Sequence, residues 1–130
     1  MPFQAIRSSK MVQTTAPISL ATLAEGERIL HVSGQVPIDA EGNTVGKGDI
    51  EAQAAQAIQN IRTLVEEAGG SLSDVCRIVV FGTSRECLPK VMEVRRRLLT
   101  EPYPATTTVV VTGLANPDWL VEIEATAVLK

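Results

Sequence analysis

The sequence predicts an α+β fold, a two-layer sandwich with the element order β-β-β-α-β-α-β-β. Three observations predict it. Segments 50–68 and 86–99 carry apolar residues at spacings of three and four, the period of a helix with one buried face. Six shorter segments either alternate apolar with polar residues or are rich in Val, Ile and Thr, as strands are. Two helices can cover only one face of a mixed sheet, which gives two layers. The chain has 130 residues, so residues 1–130 are expected to form a single domain. Aromatic residues number only four, two Phe, one Tyr and one Trp. The core must therefore be built from Val, Ile, Leu and Ala.

Taken in order, Phe3–Ile6 suits a short edge strand, and the polar residues around Pro17 a loop. Segments 20–24 and 28–36 are expected to form a hairpin around Glu25-Gly26-Glu27, where Gly supplies unusual backbone angles. Unbroken alternation in the second strand would put Leu30, Val32, Gly34 and Val36 on one face and Ile29, His31, Ser33 and Gln35 on the other. Residues 37–48 read as a loop, with Gly42, Gly46 and Gly48 as punctuation. Asp49 fits a helix N-cap, and Glu51 suits the positive end of the helix dipole.

The first helix presents a stripe of Ala54, Ile58, Ile61, Val65 and Ala68, with Gln53, Gln56, Asn60, Glu66 and Glu67 mostly off it. Gly69-Gly70 ends it. Segment 75–82 is a strand, and a second helix follows with Leu88, Val91, Val94/Arg95 and Leu98 on one face. Its Pro89 lies in the first turn, where proline is tolerated. The run Glu101-Pro102-Tyr103-Pro104 cannot continue a helix. Strands 105–112 and 120–129 close the chain around a turn at Asn116-Pro117-Asp118. The sheet face away from the helices is expected to carry Thr106, Thr108, Glu122, Glu124 and Thr126. That face is too mixed for a core and too β-branched for free solvent, and it suits an oligomer interface with polar clefts.

Composition excludes several functions. The net charge is −3, so no global basic field attracts DNA or RNA, and four aromatics do not build a base-stacking surface. Cys76, Cys87 and the lone His31 are too few for a structural zinc site, which needs four such ligands. A disulfide between the two cysteines stays open at this point. No apolar run approaches the roughly 20 residues of a membrane span. The first ten residues lack the apolar centre of a signal peptide, so a cytoplasmic location is expected.

Several short motifs occur in order: Ser33-Gly34-Gln35-Val36-Pro37, Gly48-Asp49-Ile50-Glu51-Ala52-Gln53, Gln56…Asn60, Ala68-Gly69, Asp74-Val75, Pro104-Ala105, Leu114…Pro117 and Val121-Glu122-Ile123-Glu124-Ala125. Together they resemble the Rid family, also called YjgF or liver perchloric-acid-soluble protein, from about residue 17 to residue 128. The resemblance implies a chorismate-mutase-like fold and a homotrimer, with sheets facing inward and small-molecule clefts between subunits. It implies no metal and no organic cofactor. The best-known members hydrolyse 2-imino acids and their enamine tautomers to 2-oxo acids and ammonia, and older descriptions attach an endoribonuclease label.

Carried over residue by residue, the family's water-activating Glu falls on Glu122, and its ligand-binding Ser and Gly on Ser33 and Gly34. The Arg that anchors the substrate carboxylate is replaced by Thr106, with Thr108 beside it on the pocket wall. The family's loop Tyr falls on Ile18, and a pocket Asn on Met92. The resemblance therefore implies a deaminase of altered specificity, or a trimer that binds metabolites or partners without catalysis, with RNA cleavage the least favoured reading. His31 is read as a structural or surface residue, both cysteines as packing, and Arg95-Arg96-Arg97 as a solvated face, since three successive helical residues spread over about 200°.

Overall fold

The computed structural model describes residues 3–130. Its elements are β1 (Phe3–Ile6), β2 (Ala21–Ala24), β3 (Arg28–Gln35), α1 (Ile50–Glu67), a 3-10 turn (Leu72–Asp74), β4 (Val75–Gly82), α2 (Leu88–Leu98), β5 (Ala105–Val110) and β6 (Val121–Leu129). The order is the expected β-β-β-α-β-α-β-β. A four-stranded sheet runs β3-β6-β4-β5, and β1 and β2 form a separate ribbon. β6 is antiparallel to both its neighbours, while β4 and β5 are parallel. A parallel pair needs a crossover, and α2 is that crossover, so it lies above β4 and β5.

Alternation along β6 decides the layers. Val121, Ile123, Ala125, Ala127 and Leu129 are all buried and join the helix residues Ala54, Ala57, Ile58, Ile61, Val65, Val91 and Val94 in one core. The two alanines, both 0% exposed, let α1 approach the sheet closely. Asp49 caps α1 by accepting from Ala52 N at 3.1 Å, and Gly69 ends it with φ +93°, a backbone region that favours glycine.

Four expectations are corrected. First, β2 and β3 do not form a hairpin: β2 pairs with β1, and β3 with β6. A turn signal says that the chain reverses but not which strand receives it. The ribbon instead packs over the end of the sheet face opposite the helices. There Phe3 joins Cys76 and Val128 in a small second core, and Thr22 Oγ1 donates to Cys76 O at 2.9 Å.

Second, the alternation of β3 breaks. A bulge lies between Val32, which pairs with Ala125, and Gln35, which pairs with Ile123. Gln35 is thereby turned to the helix side, and Ser33 and Gly34 together stand opposite Glu124. Third, β5 pairs through Ile78–Thr106 and Val80–Thr108. Thr106 and Thr108 share the helix-side face with Ile78 and Val80, whereas Glu122 and Glu124 share the opposite face with Phe81 and Val79. Thr and Val favour strands on either face, so composition could not assign this parity. Fourth, Gln53 lies on the buried stripe of α1 at 0% exposed.

Candidate functional site

The bulge in β3 creates the most specific arrangement near the expected catalytic residue. A bulge on the strand beside β6 re-aims the backbone, and Gly34 contributes no side chain there. The carboxylate of Glu122 occupies the vacant space: a Cβ built on Gly34 would overlap its Oε2 and stand 2.8 Å from its Cδ. Glu122 is half-buried on the helix-free face. It makes no hydrogen bond or ion pair among the described residues, whereas Glu124 on the same face lies 4.0 Å from Arg77 Nη1. Glu122 is thus an acceptor with free lone pairs, and Glu124 is engaged in a surface pair of small worth.

Two buried or half-buried amides hold this region in place. Gln53 Nε2 donates to Gly46 O at 3.1 Å and Asp118 O at 2.9 Å, and its Oε1 accepts from Leu120 N at 2.8 Å. Those bonds pin loop 46–48 to the segment entering β6, two residues before Glu122. Asn60 Nδ2 donates to Val36 O and Ile38 O, both at 3.1 Å, and its Oδ1 accepts from Gln56 Nε2 at 2.8 Å. This fixes the exit of β3, just beyond Gly34. Helical periodicity hides such residues because it scores an amide as solvent-facing. The one available signal was Gln53 lying one position before Ala54 and three after Ile50, within reach of the apolar stripe.

The remaining expected site residues gather elsewhere. Ser19 forms a parallel bridge to Ala105 on the free edge of β5, and its N donates to Pro104 O at 3.1 Å. Ile18 is therefore beside the start of β5, close to Thr106, whose Oγ1 donates to Pro104 O at 3.1 Å. Ile18 also lines a cleft of about 360 Å³ with Arg7, Thr14, Glu101 and Tyr103. Met92 is half-buried on α2, and Thr108 is exposed on β5. β4 lies between β6 and β5, so about two strand spacings of 4.8 Å each separate Glu122 from the threonines. Within one chain Glu122 and Gly34 are in contact on the helix-free face, Thr106 and Thr108 lie on the opposite sheet face, and Ile18 sits at the edge of β5 beside the β1 ribbon.

His31 is exposed and pairs in register with Thr126, away from Glu122. Ser33 and His31 line an open, mostly apolar groove of about 410 Å³ between β3 and the end of α1. Cys76 and Cys87 are free and buried. Burial pushes the Cys76 thiol above its ordinary value, against the lowering effects of a backbone N–H and Arg77. The expected solvated face at 95–97 is corrected in part. Arg96 and Arg97 are exposed, but Arg95 is 2% exposed, and its Nε and Nη1 are buried without a hydrogen-bond partner. Desolvation pushes its guanidinium below the usual arginine value. Among the described residues no three His, Cys, Asp or Glu side chains gather to hold a metal, and no helix is long and apolar enough to cross a membrane.

A family profile described as Endoribonuclease L-PSP matches residues 10–129. The chain belongs to this family, the Rid family. A RutC family protein of Pyrococcus abyssi is 40% identical over 98 residues, 75% of this chain and 76% of the relative. Protein DfrA of Myxococcus xanthus is 32% identical over 128 residues, 98% of this chain and 97% of that protein. Among solved structures, YyfB of Yersinia pestis, a Rid-family protein, superposes with TM-score 0.89 at 30% identity over 99% of this chain and 100% of its own. Escherichia coli TdcF with bound serine gives TM-score 0.72 at 28% identity over 94% of this chain and all of its own, 100%. The Rid fold therefore extends over nearly the whole chain, and the β3 bulge and the Gly34–Glu122 contact are details of a Rid domain.

Proposed function

We propose that this Rid-family chain is a hydrolase that releases ammonia from a small imine or enamine, in a cleft completed by a second copy of the chain. Its specificity is shifted from that of 2-imino acid deaminases. The observation that carries the reading is the free, half-buried carboxylate of Glu122 resting on Gly34. A carboxylate with unengaged lone pairs can hold a water and accept its proton as the oxygen attacks the imine carbon. The imine reacts as its N-protonated form, so that as the carbon–oxygen bond forms the nitrogen takes up the π-electron pair and becomes a neutral amine. The proton on Glu122 then passes to that nitrogen. The carbon–nitrogen bond breaks as the hydroxyl oxygen forms the carbonyl bond and returns its proton to Glu122. An oxo compound and ammonia leave, the ammonia taking that proton as ammonium.

The separation of the Glu122 and Thr106 groups within one chain supports a site built from two copies, and the resemblance suggests a homotrimer. A small ligand is supported by the serine bound to the relative TdcF. Thr106 supplies a hydroxyl where the family anchors a carboxylate with Arg. By the resemblance, Ile18 and Met92 put apolar side chains where the family has a Tyr and an Asn.

The experiment is ammonia and oxo-acid release from freshly generated imines, with and without a carboxylate. Acceleration that falls in Glu122→Gln supports the reading, and no acceleration across the panel sinks it. Light scattering checks the assembly, and a monomer would remove the shared cleft. Thr106 also favours a second reading, a Rid trimer that binds metabolites without catalysis, which would retain oxo-acid binding with no turnover. RNA cleavage that survives exhaustive purification would favour a nuclease instead, against the chain's charge and aromatic content.

A further inference from the structure

The helix layer carries a cleft of its own, apart from Glu122 on the helix-free face. It lies where α1 and α2 both end, beside the 3-10 turn and the start of β4. Its volume is about 300 Å³, at the lower end of the roughly 300–1,000 Å³ of small-molecule pockets. One wall is apolar, with buried Val75 and Leu99 and half-buried Leu98. The other carries Arg62 and Glu66 of α1, Ser71 and Ser73 of the turn, and Thr100 after α2.

Arg62 and Glu66 stand four residues apart on α1, the spacing at which opposite charges pair on a helix. They do not pair. Among the described residues the ion pairs are Lys47–Asp118, Arg77–Glu124 and Arg96–Glu93. The side-chain hydrogen bonds of α1 belong to Gln53, Gln56, Asn60 and Thr63. A half-buried cation and an exposed anion thus face one hollow, each with its donors or acceptors free.

The end of α1 adds to this. It has no basic residue in its last turn, so the negative end of its dipole is uncompensated and favours a cation beside Glu66. Asp74, in the turn that follows, is already engaged, since its Oδ2 accepts from Ser71 N at 2.9 Å. Ser71 Oγ and Ser73 Oγ bond each other at 2.7 Å, which leaves that pair one hydroxyl hydrogen to donate. A simple anion here would meet Glu66 and the helix end, and a simple cation would meet Arg62. A zwitterion satisfies both charges at once.

We propose that this cleft binds a free α-amino acid with an apolar side chain. Its carboxylate lies on Arg62, its ammonium between Glu66 and the end of α1, and its side chain against Val75, Leu98 and Leu99. The cleft is a second small-molecule site, and it does not depend on the hydrolase reading.

The probes are L-methionine, its methyl ester without the carboxylate, N-acetyl-L-methionine without the ammonium, and glycine without the side chain. Each is titrated calorimetrically into the wild type, Arg62→Met, Glu66→Gln and Glu122→Gln. The wild type binds methionine about tenfold or more tighter than any other probe, since each of those lacks a charge-assisted bond or the apolar contact. Arg62→Met loses the preference over the ester, and Glu66→Gln the preference over the acetylated form. Glu122→Gln binds methionine as the wild type does. Thermal unfolding checks that each variant is folded, and the exposure of Glu66 lets Glu66→Gln carry the test by itself where Arg62→Met unfolds. A wild type that binds methionine no better than the other three probes overturns the proposal. So does a folded Arg62→Met or Glu66→Gln protein with wild-type preferences. Methionine binding lost in Glu122→Gln would place the amino acid in the other cleft and also overturn it.

Discussion

The carboxylate of Glu122 fills the volume that any side chain at residue 34 would need, so Gly34 and Glu122 are a single packing unit on neighbouring strands. The backbone of Gly34 is not in the left-handed region, so Gly34→Ala tests the contact and not the backbone. The new Cβ must displace the carboxylate, at a cost of about 1–2 kcal/mol as for mild overpacking. Imine hydrolysis is expected to fall by about tenfold or more, since misplacement of a catalytic group by about 1 Å costs up to about a hundredfold. Ammonia release and thermal unfolding on the same sample read both effects. A variant with wild-type rate would show that the carboxylate need not sit over Gly34.

The same contact predicts non-additivity. Glu122→Ala removes the colliding atoms, so Gly34→Ala in that background should cost little further stability, with a coupling of about 1 kcal/mol in a double-mutant cycle. Glu122→Gln keeps the shape but removes the proposed base. It should retain the unfolding midpoint while hydrolysis falls by about 10²–10⁴-fold. A Glu122→Gln protein that unfolds early but turns over normally would make the carboxylate a structural acceptor.

Element order was legible in the sequence because periodicity is local: the stripe 54, 58, 61, 65 and the alternation 121, 123, 125, 127, 129 each report burial directly. Pairing was not, because it depends on partners distant in sequence. The turn at Gly26 announced a reversal, yet β3 received β6, whose Val128 side chain would lie 2.6 Å from a Cβ at Gly26. The parity of Thr106 was hidden by the chemical sameness of a Thr-Thr-Thr run. The motifs located Gly34 and Glu122 as separate positions. Only the bulge between Val32 and Gln35 explains why one must be glycine for the other to fit. Arg95 was placed on the apolar face and again in a solvated charge run, and burial resolved the conflict.

The Cys76 thiol gives a signed pH dependence. Burial is the leading cause of its raised pKa, so the unfolded chain loses this proton at lower pH than the folded one. The corresponding stability is complete below the ordinary thiol value and is lost as pH rises from there through the folded value. The slope can reach about 1.4 kcal/mol per pH unit, one proton's worth. Other groups titrate in alkali, so the measurement is the difference between wild type and Cys76→Ala in urea midpoints from pH 8 to pH 10.5. The gap in favour of wild type should narrow as pH rises. A gap independent of pH would mean that the folded thiol ionises as freely as the unfolded one.

Gln53 offers the sharpest test of what holds the site. Its amide joins Gly46 O, Asp118 O and Leu120 N, and truncation to Ala would leave Asp118 O and the Leu120 N–H without partners, while Gly46 O keeps its bond from Asp49 N at 2.8 Å. The expected loss is roughly 2–4 kcal/mol. Hydrolysis should fall as well, because the entry to β6 sets the position of Glu122. Gln53→Glu separates the polar bonds from the packing. The isosteric carboxylate keeps an acceptor for Leu120 N–H but meets two carbonyl oxygens with a negative charge. Its folded pKa should therefore be raised above the unfolded value. The folded state then binds a proton the unfolded state does not, so stability relative to wild type should rise as pH falls from 7 to 5. Once protonated, the acid can donate to one of the two carbonyls. Chemical denaturation at both pH values measures this. A deficit unchanged between them would show that the side chain acts by volume alone, and that the three hydrogen bonds do not set the entry to β6.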